Sequence, residues 1–138
     1  MGNATATKSE STLCPEEIRD GTVVIHFVMP PSTNNLFFNG PGRTGRVRTP
    51  EYNAWIKEAG YMLRSQHPPA IRERVDILIE VSDSESTMSW DVANREKAAV
   101  DLLVTHGVIL GDSKKYVRQI TLRWADVAGV RVTIRRCE

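Results

Sequence analysis

Between Val75 and Val81 the chain reads Val-Asp-Ile-Leu-Ile-Glu-Val, with Val75, Ile77, Ile79 and Val81 at alternate positions. Side chains alternate across a strand, so these four face one side of a sheet and require a covering layer there. A second β-branched and aromatic run, Thr22 to Met29, ends at Pro30-Pro31 because neither proline can donate to a sheet ladder. Between the two runs stand the signals of a helix: Thr49 as N-cap, Pro50 at the first helical position and Glu51 in the first turn. Trp55, Ala59, Met62 and Leu63 recur at helical spacing and predict its core face, and His67-Pro68-Pro69 stops it. A polar loop from Ser82 to Ser89 leads to Trp90-Asp91 and a second helix from Val92 to Thr105, closed by His106-Gly107. A short apolar return, Val108 to Leu110, precedes Gly111-Asp112. Two further strands, Tyr116 to Trp124 and Val130 to Arg135, joined by a turn through Asp126 and Gly129, complete the order βαβαββ. That order predicts an α+β fold of two layers, a mixed four-stranded sheet and two main helices.

A chain of 138 residues, 41% hydrophobic and 25% charged, fits one domain with a folded core. Residues 1–20 are polar and short of apolar side chains, which predicts a flexible N-terminal segment ahead of a domain spanning 21–138. A net charge of +1 rules out a uniformly basic nucleic-acid binder, so any basic surface must come from where charges are placed. Cys14 and Cys137 lie near opposite ends with no ligand-like spacing, which argues against zinc and for two free thiols in a reducing compartment. No apolar run reaches the length of a membrane span or signal sequence, so the expectation is a cytoplasmic protein without a membrane partner.

Chemistry concentrates on the second helix. Asn94, Lys97 and Asp101 are spaced i, i+3, i+7 and share a face, whereas Val92, Ala99, Leu102 and Leu103 occupy the others. Asp91 stands at the entrance, and Asp112 follows the apolar return. A fold that carries Gly111-Asp112 back past the start of the helix would converge two carboxylates, an amide and an ammonium. Carboxylates hold Mg²⁺ through oxygen, and such an ion activates water and neutralises phosphate charge. A plainer role exists for each residue: Asp91 as N-cap, Asn94 as a first-turn polar residue, Lys97 as a solvated side chain, Asp112 as a turn former. Spacing alone favours those roles. Arg43, Arg46 and Arg48 form a compact basic loop among glycines, and Lys114, Lys115 and Arg118 extend positive charge beyond Asp112; both suit DNA phosphates.

Several segments, in order and at matching separations, change the weighing. Asp91-Val92-Ala93-Asn94-Arg95-Glu96-Lys97, then Asp101-Leu102-Leu103, then Gly107-Val108-Ile109-Leu110-Gly111-Asp112, resemble the active-site segment of the RusA family of Holliday-junction resolvases. That family's pattern is Asp-x-Asp-Asn-x-x-Lys, a short helix, and a glycine-led apolar return ending in Asp. Pro30-Pro31-Ser32-Thr33-Asn34 resembles its Pro-Pro-Ser-x-Asn after the first strand, and Tyr116-Val117-Arg118-Gln119-Ile120 its following strand. The resemblance spans roughly residues 22 to 135. It implies a RusA-like domain and a homodimeric endonuclease, bacterial or phage-encoded, that uses Mg²⁺ or Mn²⁺ to nick four-way DNA junctions in recombination and repair. Carried over, Asp91 and Asp112 become metal ligands, Lys97 the catalytic cation, and Asn94 a supporting residue or ligand.

One position departs from the pattern: the family's second aspartate is Ala93 here. Another acid could replace it, with Glu96 and Asp101 nearest in sequence and Asp83 and Glu85 in the preceding loop as outsiders. The site could instead work with one metal and more water, or the chain could bind branched DNA with weakened cleavage.

Overall fold

The computed structural model describes residues 21–42 and 45–137, so the N-terminal segment, Cys14 and Arg43 lie outside the described residues. Among the described residues six strands and two α-helices are formed: β1 (Thr22–Phe27), β2 (Phe37–Asn39), β3 (Arg46–Arg48), α1 (Pro50–Ser65), β4 (Val75–Ser82), α2 (Glu96–Thr105), β5 (Val117–Ala125) and β6 (Val130–Arg136). β1, β4, β5 and β6 make the mixed four-stranded sheet that the element order predicted, with the spatial order β1-β6-β4-β5. β4 and β5 run parallel, with α2 in their crossover; β6 runs antiparallel to β1 and to β4.

Register lines the apolar side chains into rows across all four strands. Phe27, Val130, Val81 and Trp124 form one row, Ile25, Val132, Ile79 and Leu122 the next, and Val23, Ile134, Ile77 and Ile120 a third. Tyr52, Trp55, Ala59 and Leu63 of α1 and Ala98, Ala99, Leu102 and Leu103 of α2 share one buried core with these rows. Area removed from water here is the main stabilising term of the fold. Of the four positions expected to face the core from α1, Met62 is only partly buried.

The opposite face carries rows of another kind. His26, Arg131, Glu80 and Arg123 lie side by side across the sheet. Glu80 is fully buried, accepting from Arg131 Nε at 2.8 Å and from Arg123 Nη2 at 2.9 Å. One carboxylate thus ties the last strand to the parallel pair.

Local chemistry accounts for most element ends. Thr49 Oγ1 accepts from Tyr52 N at 3.1 Å, and the same hydroxyl donates to Asn35 O at 2.7 Å, joining the cap of α1 to the segment before it. At the other end Gln66 turns its carboxamide onto the edge strand: His26 N donates to Oε1 at 2.9 Å and Nε2 donates to His26 O at 2.6 Å. α2 closes with Gly107 at φ 73°, its N–H donating to Val104 O and that of Val108 to Leu103 O, so two carbonyls at the helix end find donors. Gly129, at φ 59°, has no room for a side chain, because an added Cβ would collide with the Phe27 carbonyl oxygen.

Two segments differ from expectation. The stretch Ser32 to Arg48, read as a loop, contains a three-residue hairpin in which Phe37 pairs with Arg48 and Asn39 with Arg46. The second helix does not begin as an α-helix at Val92; residues Val92–Arg95 form a 3₁₀ turn, and the α-helix starts at Glu96. Asn94 N donates to Asp91 O at 3.1 Å, the short i to i+3 closure of such a turn.

Where the helices meet, His106 Nε2 would lie 2.9 Å from a Cβ added at Gly60. Burial and the nearby Arg64 charge push the His106 pKa below histidine's ordinary 6.5. The unfolded chain therefore binds this proton more readily, and stability is lost as pH falls through 6.5 toward the lower folded value. Thermal melts between pH 8 and pH 5 are expected to show this loss, and His106→Gln to reduce it.

Candidate functional site

A cleft of about 810 Å³ opens between the segment after β1, the first turns of α1 and the loop that leads into α2. Its walls are Val28 to Ser32 with Asn35, then Glu51, Ala54, Trp55 and Glu58, then Glu85, Ser89 to Asp91, Asn94 and Arg95. Two long-range hydrogen bonds build it. Arg95 Nη1 donates to Pro30 O at 2.8 Å, and Thr33 Oγ1 donates to Asn94 O at 3.1 Å, across 65 and 61 residues of chain. The proline segment and the Asp91–Asn94 turn, each singled out by sequence, are thereby neighbours.

Asp91 is exposed and lines this cleft, and its side chain makes no capping hydrogen bond to the turn that follows. The plain role of N-cap is therefore not the one its carboxylate fills. Asn94 lines the same wall. Glu51, Glu58 and Glu85 line it as well, so the walls carry four acidic residues and one buried arginine, Arg95. Glu85 is held in place, since its Oε2 accepts from Gly129 N at 2.8 Å.

The remaining predicted residues lie elsewhere. Lys97 pairs with Asp101 at 3.2 Å along α2, and neither residue nor Glu96 lines the cleft. Asp112 is exposed in the segment between the Ile71–Ile109 bridge and β5, and it too is outside the lining. Among the described residues, no three of His, Cys, Asp and Glu are grouped so as to hold a metal ion. Asp83 is exposed and not in the lining.

Of the basic residues, Arg46 and Arg48 ride on the hairpin, with guanidinium carbons 4.8 Å and 6.0 Å from the ring centroids of Phe37 and Tyr52. Stacking on aromatic faces leaves such a fork oriented for phosphate. Lys114 and Lys115 are exposed, the Lys115 ammonium lying 5.3 Å from the Tyr116 ring centroid. Arg118 is engaged with Asp76: Nε donates to Oδ1 at 2.8 Å and Nη2 to Oδ2. This pair holds the Asp76 carboxyl below the usual carboxylate range and raises the Arg118 pKa further. Arg118 thus fastens β5 to β4 and is the weakest of the six proposed phosphate contacts. Cys137 is a free thiol 3.5 Å from Asp76 Oδ1.

Sequence reasoning passed over Glu51 and Glu58, which line the cleft from α1, and Arg95, which it left inside the motif without a role. Nothing local marks them; only the packing of α1 against the loop does. No protein-family model matches the chain, and no curated protein matches it. Among the described residues no helix is long and apolar enough to cross a membrane.

Proposed function

We propose that this chain is a structure-selective endodeoxyribonuclease that cleaves phosphodiester bonds in four-way or otherwise branched DNA, acting as a homodimer in recombination and repair. The reading is carried by one observation: the two segments that resemble the RusA family's motifs join in one cleft, where the Asp91 carboxylate is not used as a cap. The donors there are oxygens, which suits Mg²⁺ or Mn²⁺. Asp91 would hold the ion, with the Asn94 amide and Glu85 beside it in the cleft walls; the resemblance adds Asp112 from the segment before β5. When bound, such an ion supplies an activated water and neutralises charge on the phosphate oxygens.

The walls themselves argue for a cation. Glu51, Glu58, Glu85 and Asp91 against Arg95 give an acidic surface, which repels a phosphodiester until positive charge stands between them. Arg46 and Arg48 on the hairpin, with Lys114 and Lys115, then take flanking backbone phosphates; the resemblance assigns Lys97 a catalytic charge, although it pairs with Asp101 outside the cleft lining. A second reading, a branched-DNA binder with weakened cleavage, is favoured by Ala93 and by the pairing of Lys97 with Asp101.

Nicking of a synthetic four-way junction, titrated with Mg²⁺ and Mn²⁺, tests both. Wild type is expected to cut with divalent dependence, and Ala93→Asp to lower the Mg²⁺ needed for half-maximal rate by about 10-fold. Junction binding that survives EDTA, with no cleavage by either protein, would leave only the second reading. Failure to bind DNA at low salt would end both.

A further inference from the structure

We infer that Arg95 is the positioning residue of the cleft: its guanidinium, stacked on Trp90 and bonded to the Pro30 carbonyl, holds the Asp91–Asn94 turn and the Pro30–Asn35 segment at a set spacing. What that spacing serves rests on the nuclease reading; the strut itself does not. Arg95 is 8% exposed, beside Asn94 and four residues after Asp91. Its fork is held on two sides, with Cζ 3.8 Å from the Trp90 ring centroid and Nη1 2.8 Å from Pro30 O. A planar guanidinium satisfies both contacts at once, whereas an ammonium reproduces only the point charge.

Burying this cation is costly. Desolvation pushes the Arg95 pKa down, with Glu51 at a distance as the opposing charge, and the buried Nε has no hydrogen-bond partner. A side chain needed only for packing would be met as well by methionine or leucine, without removing a charge from water. The geometry therefore uses Arg95 for direction: one end of the fork registers the turn bearing Asp91, the other the proline segment. Thr33 Oγ1 on Asn94 O is a second rung of the same ladder.

The test compares wild type with Arg95→Lys and Arg95→Met by hydrogen exchange, thermal melting, Mn²⁺ titration and junction-cleavage kinetics on the full chain. Exchange is expected to quicken about 10-fold in peptides covering residues 30–36 and 89–95 while β4 and β6 keep their protection. Mn²⁺ affinity and kcat should each fall about 10-fold with KM for the junction unchanged, and Arg95→Lys should fail to restore either. Should Arg95→Met not fold, Trp90→Leu is expected to give the same local pattern. Exchange that is unchanged, or quickened evenly over the whole chain, would make Arg95 an ordinary packing residue and overturn the inference. If wild type neither binds Mn²⁺ nor cuts, the nuclease reading falls, and the exchange result alone then decides the fate of the strut.

Discussion

Glu80→Leu is expected to destabilise the fold by about 3–5 kcal/mol, read as a lowered urea midpoint, because it removes one partner of a buried ion pair. The Arg131 side chain is 5% exposed and donates to Glu80 at 2.8 Å. With leucine in place, that guanidinium remains buried in the sheet and loses the carboxylate that it donates to at 2.8 Å. Arg123, at 43% side-chain exposure, can turn to water, so its loss of a partner contributes less. The double change Glu80→Leu with Arg131→Leu should recover much of the difference, since replacing both members of a buried pair by apolar groups is often neutral. A single variant as stable as wild type would show that the charges on this face are solvated.

Asp91→Asn is expected to lower divalent-dependent junction cleavage by at least about 100-fold, because changes outside a metal's direct ligands already cost ~10–100-fold. Asparagine keeps the shape of the side chain but loses the charge with which Asp91 would hold the proposed cation. The carboxylate makes no capping bond, so the variant should melt close to wild type, and junction binding in Ca²⁺ should persist. An Asp91→Asn protein that cuts at the wild-type rate would remove this residue from the chemistry. A large drop in melting temperature would instead assign it to the turn.

The readable parts of the fold were those with local causes. Alternation at Val75–Val81 located the central parallel strand, and Thr49-Pro50 located the start of α1, because strand period and helix caps are written within a few residues. The β2–β3 hairpin escaped because three-residue strands are too short to show a period, and its glycines and arginines read as loop. The 3₁₀ entry to α2 was hidden for another reason, since Asn94 O is engaged by Thr33 from 61 residues away. Site residues divide the same way. Asp91 and Asn94 were visible through their motif. The company they keep was not: Glu51 and Glu58 arrive on a different helix, and a buried arginine runs against the usual exposure of that residue. Glu80 sits on the strand face that lacks the apolar pattern, where water would be the default neighbour; the arginines of β5 and β6 that pair with it are not visible from its own strand.

β6, which follows the other strands in the described sequence, is the one that lies between β1 and the parallel pair β4–β5. Until residues 130–136 have been synthesised, β1 has no neighbour in the sheet and β4 lacks one of its two. A nascent chain can therefore form α1, α2 and the β4–β5 unit early, yet the pairing of Thr22 with Arg135 must wait until β6 has left the ribosome. Such pairing across more than a hundred residues, Thr22 with Arg135, closes a very long loop and belongs to the slow part of folding. The cleft takes one wall from the segment after β1, so its completion is tied to that last event.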